Sequence, residues 1–279
     1  MMDNVKMNKW KSGYISVLNI ITIVAIVLGS IIHIGGFIGK GIVKGITGGW
    51  GENVQTVASG SEVEAFDDIS ADLSVGGFTV QSGDKYSVSY TGYPAGSEPK
   101  MVVKNKTLVI SQKTKGNLNL IGGNHFSECG VTVTVPEGCV PDIDLDVDMG
   151  AFEAKDIKLG DVSIDADMGG ITLKNCEIGD LDIQADMGGI EIDGGSFGDG
   201  SFNADAGGIV IKDVSFDEAS CEAALGGVEV SGDYRELSAD CDMGSIEVSS
   251  DDPGTEFDLE CDMGSVKVNG KDMGSKYSN

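Results

Sequence analysis

Between residues 141 and 270, apolar and polar residues alternate in short runs. Each run closes on the same phrase, Asp-Met-Gly followed by a small residue and an apolar one. It reads Asp148-Met149-Gly150-Ala151-Phe152, Asp167-Met168-Gly169-Gly170-Ile171 and Asp186-Met187-Gly188-Gly189-Ile190. It returns as Asp205-Ala206-Gly207-Gly208-Ile209, Ala224-Leu225-Gly226-Gly227-Val228, Asp242-Met243-Gly244-Ser245-Ile246 and Asp262-Met263-Gly264-Ser265-Val266. The steps between copies are 19, 19, 19, 19, 18 and 20 residues. A fixed period near 20 marks similar units stacked in one dimension.

Side chains two apart share one face of a strand. Three residues before each phrase stand Leu145, Ile164, Ile183, Phe202, Cys221, Ala239 and Leu259; one before stand Val147, Ala166, Ala185, Ala204, Ala223, Cys241 and Cys261. Extending the alternation one step places Met149, Met168, Met187, Ala206, Leu225, Met243 and Met263 on the same inward face, as core filler. Polar residues lie between, so each run predicts a half-buried strand. The Gly pair predicts a bend. A second short run such as Ile190-Glu191-Ile192 follows, and then turn residues. No repeat could bury its apolar row alone, but stacked copies could. The expected fold is all-β, a β-solenoid of the right-handed parallel β-helix kind, with the hand taken from the general preference for right-handed crossovers. A β-sandwich or roll of hairpins is the rival, and the near-constant register favours the solenoid.

Regular repeats are expected over 141–270 and irregular N-terminal coils over 56–140. The latter carry strand runs at Glu62–Phe66, Ile69–Leu73, Phe78–Gln81, Tyr86–Tyr90, Met101–Lys104, Leu108–Ser111 and Val131–Val135, with a loop at Gly116–Gly123. Residues 271–279 form a tail in which Lys276 replaces the apolar residue and stops the row. Upstream, residues 1–13 hold Lys6, Lys9 and Lys11, and a nearly uncharged apolar run begins at Tyr14. Residues 14–38 are read as one transmembrane helix, since about 20 apolar residues span a bilayer. The run is long for a cleaved signal peptide. Residues 39–55 form a Gly-rich juxtamembrane linker, lying along the membrane or acting as a flexible neck. The lysine asymmetry puts the N-terminus in the cytoplasm and the C-terminal body outside.

Charge narrows the partners. The formal net charge is −26, and residues 1–50 hold five Lys against one Asp, leaving 14 basic and 44 acidic residues beyond them. Such a body repels nucleic acid. Asp148, Asp167, Asp186, Asp205, Asp242 and Asp262 would line up about 5 Å apart on stacked coils. They form a solvated acidic face, or a weak cation site suited to Ca²⁺; the Ca²⁺-binding nonapeptide is absent. Cys241 and Cys261 occupy the same slot of successive coils, within disulfide reach if oxidised, or packed as small core residues. With no CxxC and only two histidines, His33 and His125, zinc is not indicated. No catalytic arrangement can be singled out.

Phe66-Asp67-Asp68-Ile69, the Val-Gly-Gly-Phe-Thr-Val turn at 75–80, Val131-Thr132-Val133-Thr134-Val135-Pro136-Glu137-Gly138 and the Asp/Gly-rich repeats after an N-terminal span resemble the bacterial "putative adhesin" family of β-strand repeat proteins, over roughly residues 60–270. The resemblance implies a β-helix-like ectodomain at the cell surface without established catalytic residues; some members are encoded with envelope-stress systems. The expected function is a non-enzymatic, membrane-anchored, extracytoplasmic module of the cell envelope with a cell-wall, glycan or protein partner. One alternative is an envelope-stress accessory protein acting through a membrane partner. Another is a carbohydrate-active β-helix enzyme, opposed by the scarcity of aromatic and basic residues in the repeats.

Overall fold

The computed structural model describes residues 54–113 and 129–279. The expected transmembrane helix, the loop at 116–123, His33 and His125 lie outside the described residues. Among the described residues every regular element is a strand, from Val54–Val57 to Lys276–Ser278. None of them forms a helix long and apolar enough to cross a membrane.

From residue 142 the chain winds through seven two-sided coils. One side holds Asp142–Met149, Val162–Met168, Leu181–Met187 and Gly200–Ala206, and then parts of Ile209–Leu225, Val228–Ser250 and Glu256–Val268. These strands pair in parallel, with Leu145 beside Ile164, Ile164 beside Ile183, and Ile183 beside Phe202. The row continues through Cys221, Ala239 and Leu259. The other side holds Phe152–Lys155, Ile171–Glu177 and Ile190–Ser196, continued by the first residues of Ile209–Leu225 and Val228–Ser250, again in parallel register. Its inward rows include Phe152, Ile171, Ile190, Ile209 and Val228. The two sides face each other over one continuous buried core. The β-solenoid expected from the period is thus present.

Two ladders hold the corner that returns each coil to the first side. Asp142 Oδ1 accepts the Asp161 N–H at 2.9 Å, Asp161 Oδ1 that of Asp180 at 3.0 Å, and Asp180 Oδ1 that of Asp199 at 3.0 Å. Each carboxylate thus satisfies a backbone donor of the next coil, a charge-assisted bond. In the coils that follow, Phe197, Phe216 and Tyr234 stack, with centroids 4.8 and 4.6 Å apart and rings within 6° of parallel.

The N-terminal coils do not stack in chain order. Asp68–Leu73 and Gly77–Gly83 lie directly on the first regular coil, with Ile69 beside Ile143 and Phe78 beside Phe152. The later segments Thr107–Gln112 and Gly130–Pro136 pair with the opposite edges of Asp68–Leu73 and Gly77–Gly83, away from the first regular coil. Antiparallel strands Lys100–Lys104, Val54–Val57 and Ser87–Thr91 finish this end. At the other end the tail runs back, with Lys271–Gly274 and Lys276–Ser278 antiparallel to the last coil. Both ends close on short antiparallel strands, a way of blunting a sheet edge.

The methionine row corrects the expectation of core filler. Met168, Met187, Leu225, Met243 and Met263 are 40, 55, 48, 44 and 62% exposed, Met149 is half-buried and Ala206 is exposed. Alternation ends at the Ala166 row, and Asp167 and Met168 are exposed in succession. The bend explains this. A Cβ on Gly150, Gly169, Gly188, Gly207, Gly226, Gly244 or Gly264 would lie only 1.6–2.0 Å from the carbonyl oxygen of the glycine in the preceding coil. Backbones meet there with no room for a side chain. The chain therefore turns over itself before a Met could be enclosed.

Candidate functional site

The bend carries the feature that sets this surface apart. Among the described residues, five of the six large exposed hydrophobic side chains belong to the Met/Leu row; the sixth is Val140. The register sets them side by side: Met149 with Met168, Met168 with Met187, Ala206 with Leu225, Leu225 with Met243, and Met243 with Met263. Six steps of about 4.8 Å make a stripe about 29 Å long. Contiguous exposed apolar surface marks interaction sites, while scattered apolar residues need no explanation.

Beside the stripe runs a double column of small residues. The first column is glycine throughout, because of the close approach just described. The second is Ala151, Gly170, Gly189, Gly208, Gly227, Ser245 and Ser265, and there a Cβ finds its nearest neighbour at 3.1–3.6 Å. The small columns leave a shallow floor between the Met/Leu row and the next outward row, Glu153, Thr172, Glu191, Val210, Glu229, Glu247 and Lys267. At its N-terminal end the floor opens into a hollow of about 400 Å³, lined by Gly76, Gly77, Met149, Gly150, Ala151 and Glu153 among others.

Acids flank this strip on one side, and on the other carboxylates alternate with lysines that pair with them. Asp148, Asp167, Asp186, Asp205, Asp242 and Asp262 lie between the buried Ala/Cys row and the Met/Leu row, facing outward. Among the described residues, no group of three or more His, Cys, Asp or Glu side chains is gathered so that it could hold a metal ion. Behind this row Asp146 is pushed up to about 6, first by burial and then by Asp72, Asp165 and Asp148. Asp165 and Asp240 are raised for the same main reason, burial, with neighbouring carboxylates adding to it. On the opposite flank Glu191, Glu229 and Glu247 pair with Lys174 (3.2 Å), Lys212 (2.9 Å) and Lys267 (3.6 Å). Glu153 adds a further carboxylate on that side.

Cys241 and Cys261 are register partners, both free and fully buried. Their thiols donate to the Gly226 and Gly244 carbonyls at 3.2 and 3.6 Å. Burial, then Cys261, pushes Cys241 up to about 12. These are packed thiols without nucleophilic character. Sequence reasoning missed the exposed stripe because it carried the alternation one residue past the point where the strand bends. It also missed the corner ladders, although Asp142, Asp161, Asp180 and Asp199 recur every 19 residues and Phe197, Phe216 and Tyr234 at 19 and 18. The period, applied to every position and not only to the phrase, contains that signal.

The family model described as Toastrack DUF4097 matches residues 68–278. A search of curated proteins gives no match. Among solved structures, a "putative adhesin" from Bacteroides fragilis superposes with a TM-score of 0.50 at 13% identity, covering 78% of this chain and 97% of that one. A "putative adhesin" from Parabacteroides distasonis gives 0.46 at 16% identity, covering 77% and 95%. A "putative lipid binding protein" from the same organism gives 0.36 at 18%, covering 79% and 96%. The first supports the fold.

Proposed function

We propose, from the premise that the chain belongs to the Toastrack DUF4097 family, that it is a non-catalytic interaction module of the cell envelope. In this reading residues 14–38 anchor it in the membrane, residues 1–13 are cytoplasmic and the solenoid stands outside, its coils right-handed. One observation carries the binding role: among the described residues, Met168, Met187, Leu225, Met243 and Met263 are exposed in one register row along one bend of an acidic β-stack. Burying apolar side chains in an interface contributes roughly 25 cal/mol per Å² of apolar area. An exposed row of this kind is therefore a source of binding free energy. The apolar run beginning at Tyr14 supports the anchor, and the acid-rich body suits an aqueous exterior.

The experiment is a topology assay on the full chain in bacterial cells, with epitope tags at each terminus. Protease added to intact cells should remove the C-terminal tag and spare the N-terminal one, with the protein in the membrane fraction. Deleting residues 14–38 should release the body. A full chain found in the soluble fraction, or a C-terminal tag protected until cells are lysed, would overturn the proposal.

A further inference from the structure

We infer that the Met/Leu stripe and its glycine floor dock a cationic amphipathic helix. The inference rests on the reading of this bend as the binding surface, and it names the partner's chemistry. Three features of the strip select that partner. The first is charge. Asp148, Asp167, Asp186, Asp205, Asp242 and Asp262 line one flank, while on the other Glu191, Glu229 and Glu247 are paired with Lys174, Lys212 and Lys267, so most of the uncompensated negative charge lies on the Asp side. An anionic polymer or an anionic lipid surface would be repelled, and a second copy would bring its own acids against these. Lys and Arg along the border of an apolar helix face would meet complementary charge in the Asp row.

The second feature is the backbone. On the strip, backbone donors are already used from coil to coil: Gly150 N–H to the Met168 carbonyl at 2.9 Å, Gly169 to Met187 at 3.0 Å, and Gly226 to Met243 at 3.0 Å. An added β-strand would find no free edge along it. A helix satisfies its own backbone and needs only side-chain contacts. The third feature is shape and composition. The stripe of about 29 Å matches a helix of about 19 residues. Met side chains are unbranched and polarizable, so they mould to varied apolar partners, and the flat glycine floor lets the helix approach closely. The outward rows beside the floor hold no Trp or Tyr, which does not suit sugar stacking.

The test uses the full chain in nanodiscs of zwitterionic lipid, with empty discs as the blank. The probe is a fluorescent 20-residue Leu/Lys peptide of helical amphipathic pattern. Two controls are its Leu/Glu counterpart and a scrambled Leu/Lys sequence. Binding should be restricted to the amphipathic Leu/Lys peptide and should weaken with salt. M168S/M187S/L225S should lose on the order of tenfold or more in affinity. M168L/M187L should stay within about twofold, since apolar area is kept. D148N/D167N/D186N should weaken binding and flatten its salt dependence. All these side chains are at least partly exposed, and a thermal melt of each variant confirms folding.

Equal binding of the Leu/Glu or scrambled peptide would overturn the inference, as would unchanged affinity in the triple serine variant. Self-association of the chain, or vesicle binding, that is lost in the serine variant without any peptide binding would overturn the helical partner alone and leave the bend as the binding surface. If no binding of any kind depends on the row, both readings fall.

Discussion

Replacing Gly188 by Ala tests the close approach that shapes the bend. The added Cβ would lie 1.7 Å from the Gly169 carbonyl oxygen and 2.6 Å from its carbon. Real Cβ contacts do not fall below about 3 Å, so the coils must separate by more than an ångström at this point. The bonds that join these two coils beside the clash, Gly169 N–H to the Met187 carbonyl (3.0 Å) and Ile171 N–H to the Gly189 carbonyl (2.9 Å), cannot survive that shift. Two lost backbone bonds cost about 1 kcal/mol each, and the strained packing adds a comparable amount, giving about 3–4 kcal/mol. For an ordered unit of this size that corresponds to roughly 6–16 °C in melting temperature.

The control is Gly170→Ala in the second column. There the nearest atom is the Gly189 carbonyl oxygen at 3.6 Å, an ordinary contact, and Ala151 occupies the same column natively. That variant should stay within about 0.5 kcal/mol of the parent, or gain slightly through the stiffer unfolded chain. Urea denaturation followed by circular dichroism compares the two. Equal destabilisation by both substitutions, or none by Gly188→Ala, would show that the glycine column is not set by coil contact.

Other expectations follow from the ladders and the acids. Phe216→Ala removes the middle ring of the corner stack, between Phe197 and Tyr234, and should cost about 3–5 kcal/mol, read from the same urea curves. Asp180→Ala deletes the acceptor of the Asp199 N–H and should cost about 1–2 kcal/mol, whereas exposed Asp242→Ala should change stability by under about 0.5 kcal/mol. Asp146 binds its proton more tightly folded than unfolded, so the stability it adds is full below the ordinary carboxylate pKa and is lost as pH rises through about 6. With the discount due to a group half in solvent, this is about 1 kcal/mol. Asp142, Asp144, Asp165, Asp182 and Asp240 are raised by burial in the same sense. The melting temperature should therefore climb from pH 7 to pH 5, and D146N should raise it at pH 7 and flatten the slope; a melting temperature that falls between pH 7 and 5 would contradict this. Native-state alkylation should modify Cys139 ahead of Cys129, Cys176, Cys221, Cys241 and Cys261, because it alone among the six is partly exposed; mass spectrometry of labelled peptides reads the order.

The near-constant period favoured similar units stacked in register over a sandwich of hairpins, because copies about 19 residues apart can bury their shared apolar face against one another. It also placed the Leu145–Leu259 and Val147–Cys261 rows inside and aligned Cys241 with Cys261. The same pattern could not say where inward alternation stops. That depended on how closely successive glycine backbones approach at the bend, a contact between residues 19 positions apart, and it turned the Met row from core into surface. Stack order was equally invisible. The strand runs over 68–83, 107–112 and 130–136 all read as irregular coils in chain order, and only the pairing of the folded chain placed the earliest of them against the first regular coil. Periodicity reports which side chains want burial; the three-dimensional packing of one coil on the next decides which of them there is room to enclose.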